Sequence, residues 1–96
     1  MKNAIRELLR AGFAAGFTCS VWDGEEWQIK RSTSLNACMN AVQSVDEAEL
    51  RFRDSAGEIV GWALVSDAVD LEPDEKVIDC TCQPWIQSAL SFTLEV

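Results

Sequence analysis

The sequence predicts an α+β fold in one domain, residues 1–96, with the order α-β-β-α-β-β-β-α and an antiparallel sheet carrying helices mainly on one face. Three observations lead there. Two stretches, NAIRELLRAGFAAG and STSLNACMNAVQS, repeat apolar residues at helical spacing behind capping side chains. Short runs alternate apolar and polar residues around the turn signals Asp23-Gly24 and Ser55-Ala56-Gly57. A chain of 96 residues, 48% hydrophobic and 25% charged, can bury one core but not two.

In the first helix Asn3 is the expected cap, with Ile5, Leu8, Leu9 and Phe13 on one face and Gly16 as the left-handed stop. Gly12 and Gly16 form a G-x-x-x-G, which in a short soluble helix signals close packing or an early end. The run FTCSVWDGEEWQIKR reads as a hairpin. A two-residue Asp-Gly loop would place Phe17, Cys19 and Val21 on the face of Glu26, Gln28 and Lys30. A three-residue loop Trp22-Asp23-Gly24 pairs Val21 with Glu25, Cys19 with Trp27 and Phe17 with Ile29, gathering the apolar side chains. The expectation is therefore the longer loop, with Trp22 exposed at its tip.

The second helix is capped by Ser32 or Ser34 and buries Leu35, Cys38, Met39 and Val42. DEAELRFR alternates strictly, which turns Ala48, Leu50 and Phe52 inward and Glu47, Glu49, Arg51 and Arg53 outward. EIVGWALVS is apolar nearly throughout, as an internal strand is. Parity places its Val60, Trp62 and Leu64 beside Phe52, Leu50 and Ala48, with Gly61 and Ala63 on a thinly covered face. A short strand over Lys76 to Cys82 is expected to turn Ile78, Cys80 and Cys82 inward. Pro84 suits the first turn of a terminal helix with Trp85, Ile86, Ala89 and Leu90. SFTLEV alternates as a further strand would.

The net charge is −8, from 8 bases and 16 acids. Met1 to Arg31 holds five bases and four acids, and the remainder three bases and twelve acids. Such a chain is repelled by phosphate, which disfavours direct nucleic-acid binding and anionic membranes and favours a basic protein surface as partner. No apolar run is long enough to span a bilayer, and the N-terminus lacks the apolar region of a signal peptide. The expected compartment is the cytoplasm, where Cys19, Cys38, Cys80 and Cys82 stay reduced.

The sequence has no histidine. That removes the commonest general base, the histidine-dependent nucleophile systems and every histidine-containing metal site. Phosphate-cradling glycine motifs are also missing. The expectation is a protein without catalytic activity. Cys80-Thr81-Cys82 is the one close cysteine pair, unlike the two C-x-x-C pairs of a zinc ribbon, so four buried free thiols are expected and no metal or other cofactor.

SDAVDLEPDEKVID, Ser66 to Asp79, carries six carboxylates and one base, Lys76. Asp70, Glu72 and Asp74 alternate as in a calcium loop, but Pro73 and Glu75 break the pattern and no glycine follows Gly61. The stretch is either a solvated loop or a display of charge for a basic partner. As a display, Asp70, Glu72, Asp74 and Glu75 would act with the outward Glu47 and Glu49 and the hairpin tip Asp23, Glu25 and Glu26. Trp22 would supply an aromatic anchor.

The run VWDGEEWQIKRSTSLNACMNAVQSVDEAELRFRDSAGEIVGWALV resembles small acidic hypothetical proteins of phages and prophages. These share a D-G-E-x-W hairpin, a K-R-S-T helix start, a D-E-x-x-L-R strand and a G-W-x-L-V strand. The resemblance covers Val21 to Val65, and its motifs are structural. It implies a phage accessory protein, a class that includes anti-CRISPR and other anti-defence inhibitors, acting in the host cytoplasm. The reading it leads to is an inhibitor that covers the basic surface of a host nucleic-acid-handling protein or nucleoprotein complex, itself a monomer or weak homodimer. Two alternatives stand beside it: a structural protein that self-associates through a sheet face or edge strand, and a thiolate metal module.

Overall fold

Asn3 begins the fold by satisfying a helix start. In a computed structural model, which describes residues 3–91, its side-chain oxygen accepts the N–H groups of Ile5 and Arg6 at 2.9 and 3.3 Å. Helix α1, Ala4–Ala14, buries Ala4, Ile5, Leu8, Leu9 and Gly12. Gly16, at φ 86°, ends it in the left-handed conformation.

Five strands follow: β1 (Thr18–Trp22), β2 (Trp27–Ser32), β3 (Ala48–Arg53), β4 (Ile59–Val65) and β5 (Val77–Cys80). They form one antiparallel sheet in the order β2-β1-β3-β4-β5. Helix α2 (Leu35–Gln43), capped by the Ser34 hydroxyl, joins β2 to β3, and α3 (Pro84–Ala89) follows β5. The element order and the α+β class are those the sequence predicts. Side chains of all three helices share a core with Cys19, Val21, Leu50, Phe52, Ala63 and Val65, so one face of the sheet is covered.

The registers correct three expectations. In the β3–β4 pair, Phe52 faces Gly61, Leu50 faces Ala63 and Ala48 faces Val65. Gly61 and Ala63 therefore lie on the core side, and Trp62 and Leu64 on the other. The cause is α3. The Trp85 ring sits edge-on to Phe17 and Phe52, with centroids 5.3 and 4.9 Å away, and its indole N–H donates to the Val60 carbonyl at 2.9 Å. A bare glycine is what lets that ring lie on the strand.

The hairpin differs too. Trp22 pairs with Trp27, Val21 with Ile29 and Cys19 with Ser32, so four residues, Asp23 to Glu26, connect the strands. Asp23 sets this length: its Oδ1 accepts the N–H groups of both Glu25 and Glu26 at 2.7 Å. Trp22 is consequently half-buried in β1, edge-on to Trp27 at 4.9 Å, and not at an exposed tip.

The third correction is β5, which stops at Cys80. A register shift between Leu64 and Val65 leaves Ile78 49% exposed. Thr81 then turns off the strand, its N–H donating to the Trp62 carbonyl and its Oγ1 accepting the Trp62 N–H. Cys19 and Cys38 are buried as expected, but Cys80 is half-buried and Cys82 exposed. The expected strand in SFTLEV falls on residues 92–96, outside the described residues.

Candidate functional site

Register decides which acids meet. β1 ends, β3 begins, β4 ends and β5 begins at one end of the sheet, as the pairs Trp22–Glu49, Ala48–Val65 and Val65–Val77 require. The loops at that end carry Asp23, Glu25 and Glu26 of the hairpin, Asp46 and Glu47 before β3, and Asp67, Asp70, Glu72, Asp74 and Glu75 between β4 and β5. With Glu49 these are eleven of the sixteen acids. Against them stand Lys76, ion-paired with Asp67, Arg51, ion-paired with Glu49, and Arg6 on the first turn of α1.

The end is held by polar ties. The Ser66 hydroxyl donates to the Asp46 carbonyl at 2.8 Å, joining the end of β4 to the turn before β3. The Asp67 side chain, 8% exposed, accepts from Lys76 Nζ at 2.5 Å, from Gln43 at 2.9 Å and from Asn3 at 3.4 Å. Burial raises its pKa, but these donors outweigh burial and hold the carboxyl below its usual range. Asp23 is lowered by the Glu26 N–H first, then by the Glu25 N–H and the Gln28 amide. Asp23 and Asp67 thus serve the architecture with the same oxygens that add to the local charge.

The other acids are freer. Glu25, Glu26, Asp46, Glu47, Asp70, Glu72, Asp74 and Glu75 are exposed and have no ion-pair partner among the described residues. Like charges crowded on loops raise the negative potential at that end above what the net charge alone gives.

Of the residues the sequence singles out, Trp22, Asp23, Glu47 and Glu49 come together around an open groove of about 140 Å³. Glu25 and Glu26 flank it on the hairpin. Asp70, Glu72, Asp74 and Glu75 lie apart from that groove, in the β4–β5 connection, which makes a single 3₁₀ turn at Pro73–Glu75. Asp46, Glu47 and Asp67 instead border a second cleft of about 450 Å³ with Gln43, Ser66 and Val69. Sequence reasoning missed Trp27, which packs on Trp22, and Leu64, which lines the groove once the β4 register is known. It also missed fully exposed Val69, an apolar side chain in the middle of the acids. The D-A-V-D spacing was the available signal.

Among the described residues no group of three or more histidine, cysteine or carboxylate side chains is placed to hold a metal ion, and no helix is long and apolar enough to cross a membrane. Compared with protein-family models, curated proteins and solved structures, the chain has no match in any of the three.

Proposed function

We propose that the chain is a small accessory protein that places its acidic end on the basic surface of a nucleic-acid-handling protein and blocks that surface. One observation carries the reading: eleven of sixteen acids gather at one end of the sheet although they are spread from Asp23 to Glu75 in sequence. Spaced carboxylates on exposed loops present to a basic groove what a phosphate backbone presents, and the field steers encounter. The Trp22–Trp27 pair and Val69 offer the apolar contact that charge alone does not supply. The phage-type resemblance directs the choice of partner to host defence complexes. The test is competition. Labelled duplex DNA is bound to a panel of basic bacterial nucleic-acid-binding proteins that includes CRISPR effector complexes, and the chain is titrated in. Displacement from a particular member supports the reading. If no member loses its DNA at any concentration, the reading fails for that class of partner.

A second reading is self-association through the helix-free sheet face, favoured by Trp22, Trp27, Trp62 and Leu64 lying there half-buried under no helix. A net charge of −8 opposes it. Sedimentation velocity across a concentration series distinguishes the two, since self-association moves the boundary with concentration.

A further inference from the structure

Midway along the same sheet, behind the acidic loops, a group of bases has the opposite character. Opposite Ser20, the ladder between β1 and β2 is irregular: Cys19 pairs with Ser32 and Val21 with Ile29, so two residues, Lys30 and Arg31, face one. Such a bulge re-aims side chains that a regular strand would send to opposite faces. Here Lys30 and Arg31 both line one open pocket of about 190 Å³ on the helix-free face, with Ser20, Trp27 and Arg53. Arg53 reaches it from β3, where it pairs with Thr18 across the ladder.

Three features make this more than a run of surface bases. Arg31 has φ 48°, the only non-glycine residue with positive φ among the described residues. A left-handed bulge position ordinarily takes glycine, and strain kept at one residue marks a position where its side chain is used. Ser20 is 5% exposed, and its Oγ accepts the Arg31 N–H at 2.9 Å, which leaves its proton without an acceptor among the described residues. Lys30, Arg31 and Arg53 have no carboxylate partner among the described residues, in a chain where acids outnumber bases two to one. The nearest turn acid, Asp54, already accepts the N–H groups of Ala56 and Glu58, and Arg53 Nη1 donates to the Gly57 carbonyl at 3.0 Å.

We propose that this pocket binds a phosphate group, with Lys30, Arg31 and Arg53 supplying the charge and the Ser20 hydroxyl a directed donor. Pockets that enclose a whole small molecule measure about 300–1,000 Å³, so this one suits a single anionic group. Guanidinium groups match phosphate oxygens in pairs, which a chloride cannot exploit. The acidic end does not cancel the site. The nearest acid of that end along β3, Glu49, stands four residues from Arg53, about 14 Å, which is more than one Debye length at physiological salt, and Arg51 between them is ion-paired with it. The net charge that disfavours a long nucleic acid therefore leaves room for one phosphate, free or at the end of a small ester.

The test is a ¹H–¹⁵N NMR titration of the full chain with inorganic phosphate and, separately, with glycerol phosphate, at ionic strength held constant with potassium chloride. Saturable shifts at the Ser20, Lys30 and Arg31 amides and the Trp27 indole are expected, and the tighter of the two ligands identifies free ion or ester as the source. Arg31→Gly and Lys30→Gln should each weaken binding roughly tenfold, the scale of one charge-assisted hydrogen bond. Arg31→Gly should also raise the melting temperature, because glycine relieves the strain. A residue kept for the fold alone would do the reverse. Shifts that never saturate, that chloride reproduces, or that survive unchanged in both variants overturn the proposal.

Discussion

Trp85 occupies the space above Gly61: a Cβ built at position 61 would lie 2.7 Å from Trp85 Cζ2 and 2.9 Å from Ile86 Cδ1. The contact holds α3 on the sheet and decides which face of β4 belongs to the core. Gly61→Ala should therefore destabilise by about 1–3 kcal/mol, as overpacking does. The ring cannot retreat easily, being wedged against Phe17 and Phe52 and tied to the Val60 carbonyl. Urea unfolding measures it, and an unchanged midpoint would mean that α3 is not seated there.

The same register separates two aromatic residues. Phe52 is fully buried and should cost about 3–5 kcal/mol when changed to alanine. Trp62 pairs with Arg51 on the helix-free face, so Trp62→Ala should cost about 1 kcal/mol, the scale of a cross-strand pair. Equal losses for the two variants would put Trp62 back in the core.

Why the sequence misplaced Trp62 is a matter of physics. Apolar on both sides, IVGWALV offers no alternation to fix its parity, and a large tryptophan is the natural choice for the interior. What selects the glycine side is a residue some twenty positions later, Trp85, and no local pattern announces it. By contrast, strict alternation in AELRFR and the Asn3 and Ser34 caps were legible because their causes are local. The Asp23-Gly24 turn was legible in place but not in length, because the Asp23 carboxylate captures two N–H groups and extends the loop. Nine of the eleven acids of the site were visible as candidates, all but Asp46 and Asp67. Their convergence was not, since the charge divides along the sheet and not between the thirds of the chain.

Acid should loosen the acidic end before the core. The folded pKa of Asp67 lies below its unfolded value near 3.9, so its contribution is complete above the unfolded pKa and is lost as pH falls through the folded one. Asp67→Asn removes that contribution. The variant should be less stable than the parent at neutral pH, and the difference should shrink below about pH 4 as the parent's carboxyl takes up its proton. A gap that stays constant down to pH 2 would mean that the Lys76 pair contributes nothing to folding.

Thiol reactivity should follow the structure in three steps. Cys82 is exposed and should label first, while burial raises the half-buried Cys80 and slows it. The Cys19 thiol donates to the Ser20 carbonyl at 3.7 Å, and the adjoining Cys38 thiol and burial raise its pKa well above the ordinary range. Cys19 should therefore label with Cys38 only on unfolding. Mass spectrometry after timed alkylation gives the order. Early labelling of Cys19 would contradict the core described above.

The measurement closest to the central claim reverses the charge of the β4–β5 connection. Asp70, Glu72, Asp74 and Glu75 are exposed and make no ion pair among the described residues, so changing all four to lysine should leave the fold intact by circular dichroism. Association with the basic protein from which the parent displaces DNA is then followed by stopped flow over a salt series. The reversed protein should associate about tenfold or more slowly at low salt, with a flattened salt dependence, and a glutamine and asparagine version should fall between. If all three associate at one rate with one salt slope, the acids are solvated surface and the acidic end is not how this protein binds.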